Sequence, residues 1–232
     1  MALDTTDLTT ETLCRYMLER QRGTIIVQKQ DVALRKLNVI IAAALELSNS
    51  KGFQAMSLRD LSRETGLSMG GLYAYFDSKT TLLNMILMEV TEAVKRVLSD
   101  PPEEVRQDPA ARLDWLIEAH IRMTELMQPW FTFAFMEAKN FPQAERRIAV
   151  ESEALTESYF VAAIEDGIAR GVFRPDVPAL LPALIKPLLQ EWYVKRAKYK
   201  RRDVSMEAYI ATVQDIVRRI CLPQADPIPH GR

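Results

Sequence analysis

The chain has 232 residues, enough for one or two domains, and its composition, 48% hydrophobic and 26% charged, excludes a largely disordered polymer. A formal net charge of −1 excludes a general basic coat for nucleic acid, so any such binding must come from a local patch. Two cysteines (Cys14, Cys221) and two histidines (His120, His230) exclude a disulfide framework and a recognisable zinc spacing, and this usage predicts a reducing, cytoplasmic location with no metal or cofactor.

Few stretches alternate as strands do, and many space apolar residues by three and four, so the predicted fold class is all-α. Residues 1–29 form an N-terminal extension with an acidic, polar start unlike a signal peptide. Leu8, Leu13, Met17 and Leu18 give it a weak amphipathic face, consistent with a short helix or a loosely held arm. Its Arg15, Arg20, Arg22 and Lys29 are either phosphate contacts or solvated charge. From Gln30 to Lys51, Val32, Leu34, Leu37, Ile40, Ile41, Ala44, Leu45 and Leu47 repeat at helical spacing, and Gly52 supplies a stop.

Ser57 followed by Asp60 is an N-cap signature for a helix to about Glu64. Gly66 allows a left-handed turn, and Ser68 caps the next segment, Met69 to about Tyr75. Two short helices joined in this way can lay the second in a DNA major groove. Leu72 and Phe76 would pack inward, leaving Met69, Gly70, Gly71, Tyr73 and Tyr75 for the groove. Adjacent glycines cost a helix roughly 1 kcal/mol each, which close approach of backbone to DNA, or helix packing, would repay. Asp77 or Ser78 caps the following helix. Lys79 in its first turn opposes the helix dipole unless an anion lies there.

The stretch from about Leu37 to Leu87 resembles the DNA-binding domain of the TetR family of bacterial repressors. The matching residues are A-x-x-L-x-x-x-x-G-F from Ala44 to Phe53, then S-L-R-D-L-S-R-E-T-G-L-S, then G-x-L-Y-x-Y-F-x-S-K-x-x-L-L. The resemblance implies that Ser57, Arg59, Ser68, Met69, Gly71, Tyr73, Tyr75 and Lys79 lie at or near DNA. Gly71 departs from the Thr, Ser or Ala of many members, and the extension is longer than usual.

A helix from about Ser78 to Ser99 ends in Asp100-Pro101-Pro102, and the polar segment to Pro109 is the best linker. Helices follow from about Ala110 to Gln128, Trp130 to Asn140, Gln143 to Arg170, Pro178 to Arg202 and Ser205 to Leu222. The Gly-x-Phe-Arg-Pro-Asp corner at Gly171 also resembles the family. The domains expected are thus a helix-turn-helix reader at 30–80, a helical ligand-binding and dimerisation domain at 81–222, and a tail at 223–232.

Met123, Met127, Trp130, Phe131, Phe133, Phe135 and Met136 suit an apolar pocket as well as plain core. The ligand-binding set expected is Met123, Met127, Trp130, Phe131 and Phe135, with Tyr159 and Trp192 from later helices. His120 is a polar tip in that pocket or a satisfied core side chain. Broad stripes, Leu180 to Tyr193 and Tyr209 to Ile220, exceed one buried face; the resemblance implies a four-helix homodimer interface. The basic run Lys195 to Arg202 is solvated charge, or meets an anionic ligand such as an acyl-coenzyme A, as in several relatives.

Together these features predict a repressor that binds a palindromic double-stranded operator as a homodimer and is released by a hydrophobic small molecule. A regulator without a sensor differs only in having a filled core. A helical-bundle enzyme finds no Glu-x-x-His pair, no Gly-x-Ser-x-Gly and no phosphate-cradling loop, so no catalytic residues are assigned. No apolar run approaches the roughly 20 residues of a membrane span.

Overall fold

The structure, a computed structural model, describes residues 8–20 and 29–223, and among them every regular element is helical. Arg22, His230 and the tail beyond Pro223 lie outside the described residues. The described chain divides into two compact units. One holds the residues up to 97 together with 122–154; the other holds 98–121 and 155 onward.

In the first unit, α1 (Thr10–Arg20) begins where Thr9 Oγ1 accepts a hydrogen bond from Thr12 N at 3.2 Å. Its buried Leu13, Cys14, Met17 and Leu18 form one face, and α1 packs on α2 (Gln30–Lys51). Residues 10–20 of the extension are therefore a packed helix, and the loosely held arm is excluded for this stretch. Helix α2 buries Leu37, Ile40, Ile41, Ala44 and Leu45 and ends where Gly52 N donates to Ser48 O at 2.8 Å. Then come α3 (Leu58–Thr65), α4 (Met69–Tyr73) and α5 (Lys79–Leu98). The unit also contains α8 (Gln128–Glu137) and a 3-10 turn, Ala138–Asn140.

The second unit holds α6 (Glu103–Arg106), most of α7 (Pro109–Leu126) and α9 (Gln143–Ala169), then α10 (Leu181–Val194), α11 (Arg196–Arg201) and α12 (Met206–Cys221). The single helix expected from Pro178 to Arg202 is two, α10 and α11, broken at Lys195. Pro182 sits in the first turn of α10, where its missing N–H costs nothing. Gly171, at φ 69, turns the chain after α9 so that Phe173 folds back on Gly167, where a Cβ would lie only 2.0 Å from the Phe173 ring. Arg174 N donates to Cys221 O at 2.9 Å, tying this corner to the end of α12. Arg218 holds Asp114 with two nitrogens, and Tyr209 Oη donates to Leu188 O at 2.7 Å between α12 and α10.

His120 on α7 is fully buried, with Nε2 3.2 Å from Lys186 Nζ on α10. It is a core histidine. Burial, then the Lys186 charge, pushes its pKa well below the ordinary value. Burial likewise pushes the Cys14 thiol up to about 12, with Glu11 adding to it, and Cys221 up to about 11. Both are free and buried, so neither is a reactive thiol.

Candidate nucleic-acid interface

Ser57 opens α3 with a full capping box. Asp60 N donates to Ser57 Oγ at 3.1 Å, while Asp60 Oδ2 accepts from Ser57 N at 2.9 Å and from Ser57 Oγ at 2.8 Å. Asp60 also pairs with Lys51 at 2.7 Å and Arg63 at 2.9 Å. The Lys51 and Ser57 hydrogen bonds hold its carboxyl well below the usual carboxylate range. Gly66, at φ 69, makes the left-handed turn, which Ser62 Oγ secures by donating to Leu67 O at 2.5 Å. Ser68 Oγ then accepts from Gly71 N at 3.1 Å and starts α4. Leu61, Leu72 and Phe76 are fully buried, so the pair of helices has a fixed inner side.

On the outer side, Tyr73 is 48% exposed and Met69 half-buried. Gly70 is exposed, and a Cβ there would meet nothing within 4 Å. Nothing inside the chain therefore requires glycine at that position. Gly71 is tighter, with Ser68 Oγ 3.3 Å from its notional Cβ. Arg59 on α3 is exposed and holds no ion pair among the described residues.

Three expected DNA contacts are committed elsewhere. Tyr75 is 1% exposed: its ring belongs to the core, and burial raises its phenol pKa. Both donors of Ser57, N–H and O–H, go to Asp60, so the residue acts as a cap. Lys79 Nζ donates to three carbonyls, Phe53 O at 2.8 Å, Gln54 O at 2.9 Å and Met56 O at 3.0 Å, and lies 4.9 Å from the Phe53 ring centroid. An ammonium has three protons, and all are used. Burial lowers the Lys79 pKa, with Glu137 opposing. The lysine that opposes its own helix dipole is thus repaid by the open carbonyls of the α2–α3 loop, not by a phosphate. Ser78 caps α5, accepting from Thr81 N at 3.1 Å.

The same loop shows a grouping of residues that the sequence did not bring together. The Phe53 ring meets Phe133 of α8 edge-on at 5.4 Å, and Phe133 meets Phe141 at 5.8 Å. Gln54 Nε2 donates to Asn140 O at 2.9 Å. All of these groups lie in the first unit, so α8 and the reader's loop form one packed cluster. The signals in sequence were Phe53 beside the α2 stop, read there as part of a family motif, and Phe133, read as pocket lining or core.

Of the expected ligand-binding residues, Met123, Met127, Trp130 and Phe131 are buried in the first unit. Phe135 stands 43% exposed, which does not suit a residue enclosing an apolar ligand. Trp192 and half-buried Tyr159 belong to the second unit. The Trp192 ring is covered by its own chain, 5.0 Å from Tyr209, 5.5 Å from Tyr199 and 4.5 Å from the Arg196 guanidinium, as befits core. In the basic run, Lys198 pairs with Glu191 at 2.6 Å, while Lys195, Lys200, Arg201 and Arg202 are exposed. The described residues hold no cluster of three or more His, Cys, Asp or Glu placed to hold a metal, and no helix is long and apolar enough to cross a membrane.

The family model described as bacterial regulatory proteins, tetR family, matches residues 40–86, and that described as tetracyclin repressor-like, C-terminal domain, matches 106–213. The chain is 24% identical over 172 residues to the HTH-type transcriptional regulator HbdR of Aromatoleum sp. strain CIB, covering 74% of each chain. It is 23% identical over 174 residues to UidR of Escherichia coli K12, covering 74% of this chain and 85% of the relative. The crystal structure of the TetR family regulator PfmR from Thermus thermophilus superposes with a TM-score of 0.66 at 25% identity, covering 78% of this chain and 97% of that one. With the capped helix-turn-helix lying inside the first matched segment and most of the helical second half inside the other, the chain belongs to the TetR family of DNA-binding transcriptional regulators, not to the enzymes.

Proposed function

We propose that the chain is a ligand-responsive repressor: a homodimer on a palindromic operator, released by a hydrophobic small molecule. The observation that carries this reading is the packed cluster Phe53–Phe133–Phe141 with the Gln54–Asn140 bond. It joins the aromatic segment of α8 to the loop that Lys79 closes beneath the reader. A molecule that repacks Met123, Met127, Trp130 or Phe131 would therefore displace a cluster that the reader's own loop depends on. Release requires only that the effector bind the displaced state more tightly.

Residues 30–80 act as the reader, 81–222 as the effector and pairing region. DNA is met by Arg59, Ser68, Met69, Gly70, Gly71 and Tyr73. Pairing uses α10 and α12, where Leu184 (60%) and Ile216 (42%), with Leu180 (71%) just before α10, stand exposed while Leu181, Ile185, Val213 and Val217 fill the core. Apolar side chains on both sides of one helix pair fit a second copy of that pair.

The test selects a duplex from a random pool with the purified chain, then titrates lipophilic molecules, a medium-chain acyl-coenzyme A among them, into the complex. The expected result is a selected inverted repeat and at least one compound that both releases it and raises the thermal midpoint of the free protein. Selection of a repeat with no compound doing either points to a regulator without a sensor. No selected sequence at low salt overturns the reading.

A further inference from the structure

Helix α1, in the extension that precedes the family's usual start, touches two helices of the first unit. Its apolar face lies on α2, and its polar side reaches the middle of α5. There Glu89 is fully buried, with Arg20 of α1 on one carboxylate oxygen and Arg96 Nη2 3.1 Å from the other. The Arg96 guanidinium also lies over the Tyr16 ring of α1, 4.1 Å from its centroid. A buried carboxylate between two arginines is costly unless its partners stay in place, so the cluster fixes α1 to α5 at one position.

Glu89 lies ten residues, about 15 Å, along α5 from Lys79, whose ammonium closes the reader's loop. Helix α5 is thus held to the reader near its start by Lys79 and, well along its length, by α1, which is itself seated on α2. Two separated ties resist rotation about either one. We infer that α1 is a positioning element for DNA recognition. Through Arg20, Tyr16, Glu89 and Arg96 it sets the angle between the reader and α5, and hence the half-site spacing that a dimer accepts. Arg20 is then a structural tie, not a phosphate contact. The inference rests on the operator-binding dimer proposed above.

The test uses the full chain and the duplex it selects, in a series whose half-sites are moved apart or together by one and two base pairs, with a single half-site as control. The variants are Glu89→Gln, which keeps the side-chain shape, and Arg20→Ala, which removes a partly exposed side chain and leaves Arg96 on Glu89. Arg20→Lys serves as the conservative replacement. For the wild type, a one-base-pair change is expected to weaken binding about tenfold, the scale of a single mismatched position. In Glu89→Gln and Arg20→Ala that penalty falls to about threefold or less, Arg20→Lys restores part of it, and half-site binding is unchanged. Variants that melt earlier yet keep the wild-type spacing profile overturn the inference while leaving operator binding intact. A wild type that selects no duplex overturns the operator reading, and this inference with it.

Discussion

At the scale of single residues, the motif that identifies the reader does two kinds of work that its sequence does not separate. Tyr73 and Tyr75 are two apart in one motif, yet one is 48% exposed and the other 1%. Tyr73→Ala should weaken operator binding about tenfold while leaving stability within about 0.5 kcal/mol, as measured by titration of the duplex and chemical denaturation. Lys79→Met should act the other way round. It strips three loop carbonyls of a charged donor, so the unfolding free energy should drop by about 2 kcal/mol, and DNA binding should fall only in step with the loss of folded reader. Equal stability losses in the two variants would show that the assignment of roles is wrong. A lysine in the first turn of a helix was visible in sequence as an oddity. Its partner was not, because the three carbonyls lie 23 to 26 residues away in a loop whose course depends on Phe53 packing against α8.

At the scale of elements, Gly167 gives the sharpest test of packing. It sits in α9 with the Phe173 ring against its backbone, and the corner closes through Phe173 N donating to Gly167 O at 3.0 Å. Gly167→Ala should therefore destabilise the chain by about 1–3 kcal/mol despite alanine's better helix propensity, and Phe173→Leu should relieve part of that cost in the double variant. Unfolding titrations of the three variants provide the measurement. Helix α2 was legible to the residue, because apolar periodicity ran unbroken from a polar start to Gly52. The break at Lys195 was not: a run of lysine and arginine keeps good helix propensity, and the chain bends there to lay Tyr199 against Trp192 and Tyr209. Helix α6 is only four residues between Pro102 and Gln107, too short to show a period. The weak amphipathic face of the extension marked α1, but its tie to α5 runs through Glu89, one of two acids in that helix, and nothing in the sequence set the buried Glu89 apart from Glu92.

At the scale of the whole molecule, pH and association become the relevant variables. His120 is buried beside Lys186, and its folded pKa lies well below 6.5. Below about pH 6.5 the unfolded chain takes up a proton that the folded chain refuses. That contribution to stability is complete above the unfolded value and is lost as pH falls toward the folded one, by at most about 1.4 kcal/mol per pH unit. Denaturation midpoints at pH 7.5, 6.5 and 5.5 should decline accordingly, and His120→Gln should flatten this part of the curve. Pairing is probed at Leu184, 60% exposed on α10. Leu184→Glu should leave the fold intact and shift the chain to monomer in sedimentation, with a loss of operator affinity of at least about a hundredfold, since one reader alone spans only one of two half-sites roughly 34 Å apart. The most direct measurement is the stoichiometry and affinity of the wild-type chain on its selected duplex, followed by fluorescence anisotropy beside a scrambled duplex of equal length. Saturation at two chains per duplex, with the scrambled sequence bound at least about a thousandfold more weakly, is the predicted result. Equal binding to both duplexes, or saturation at one chain, would contradict a paired, sequence-specific reader.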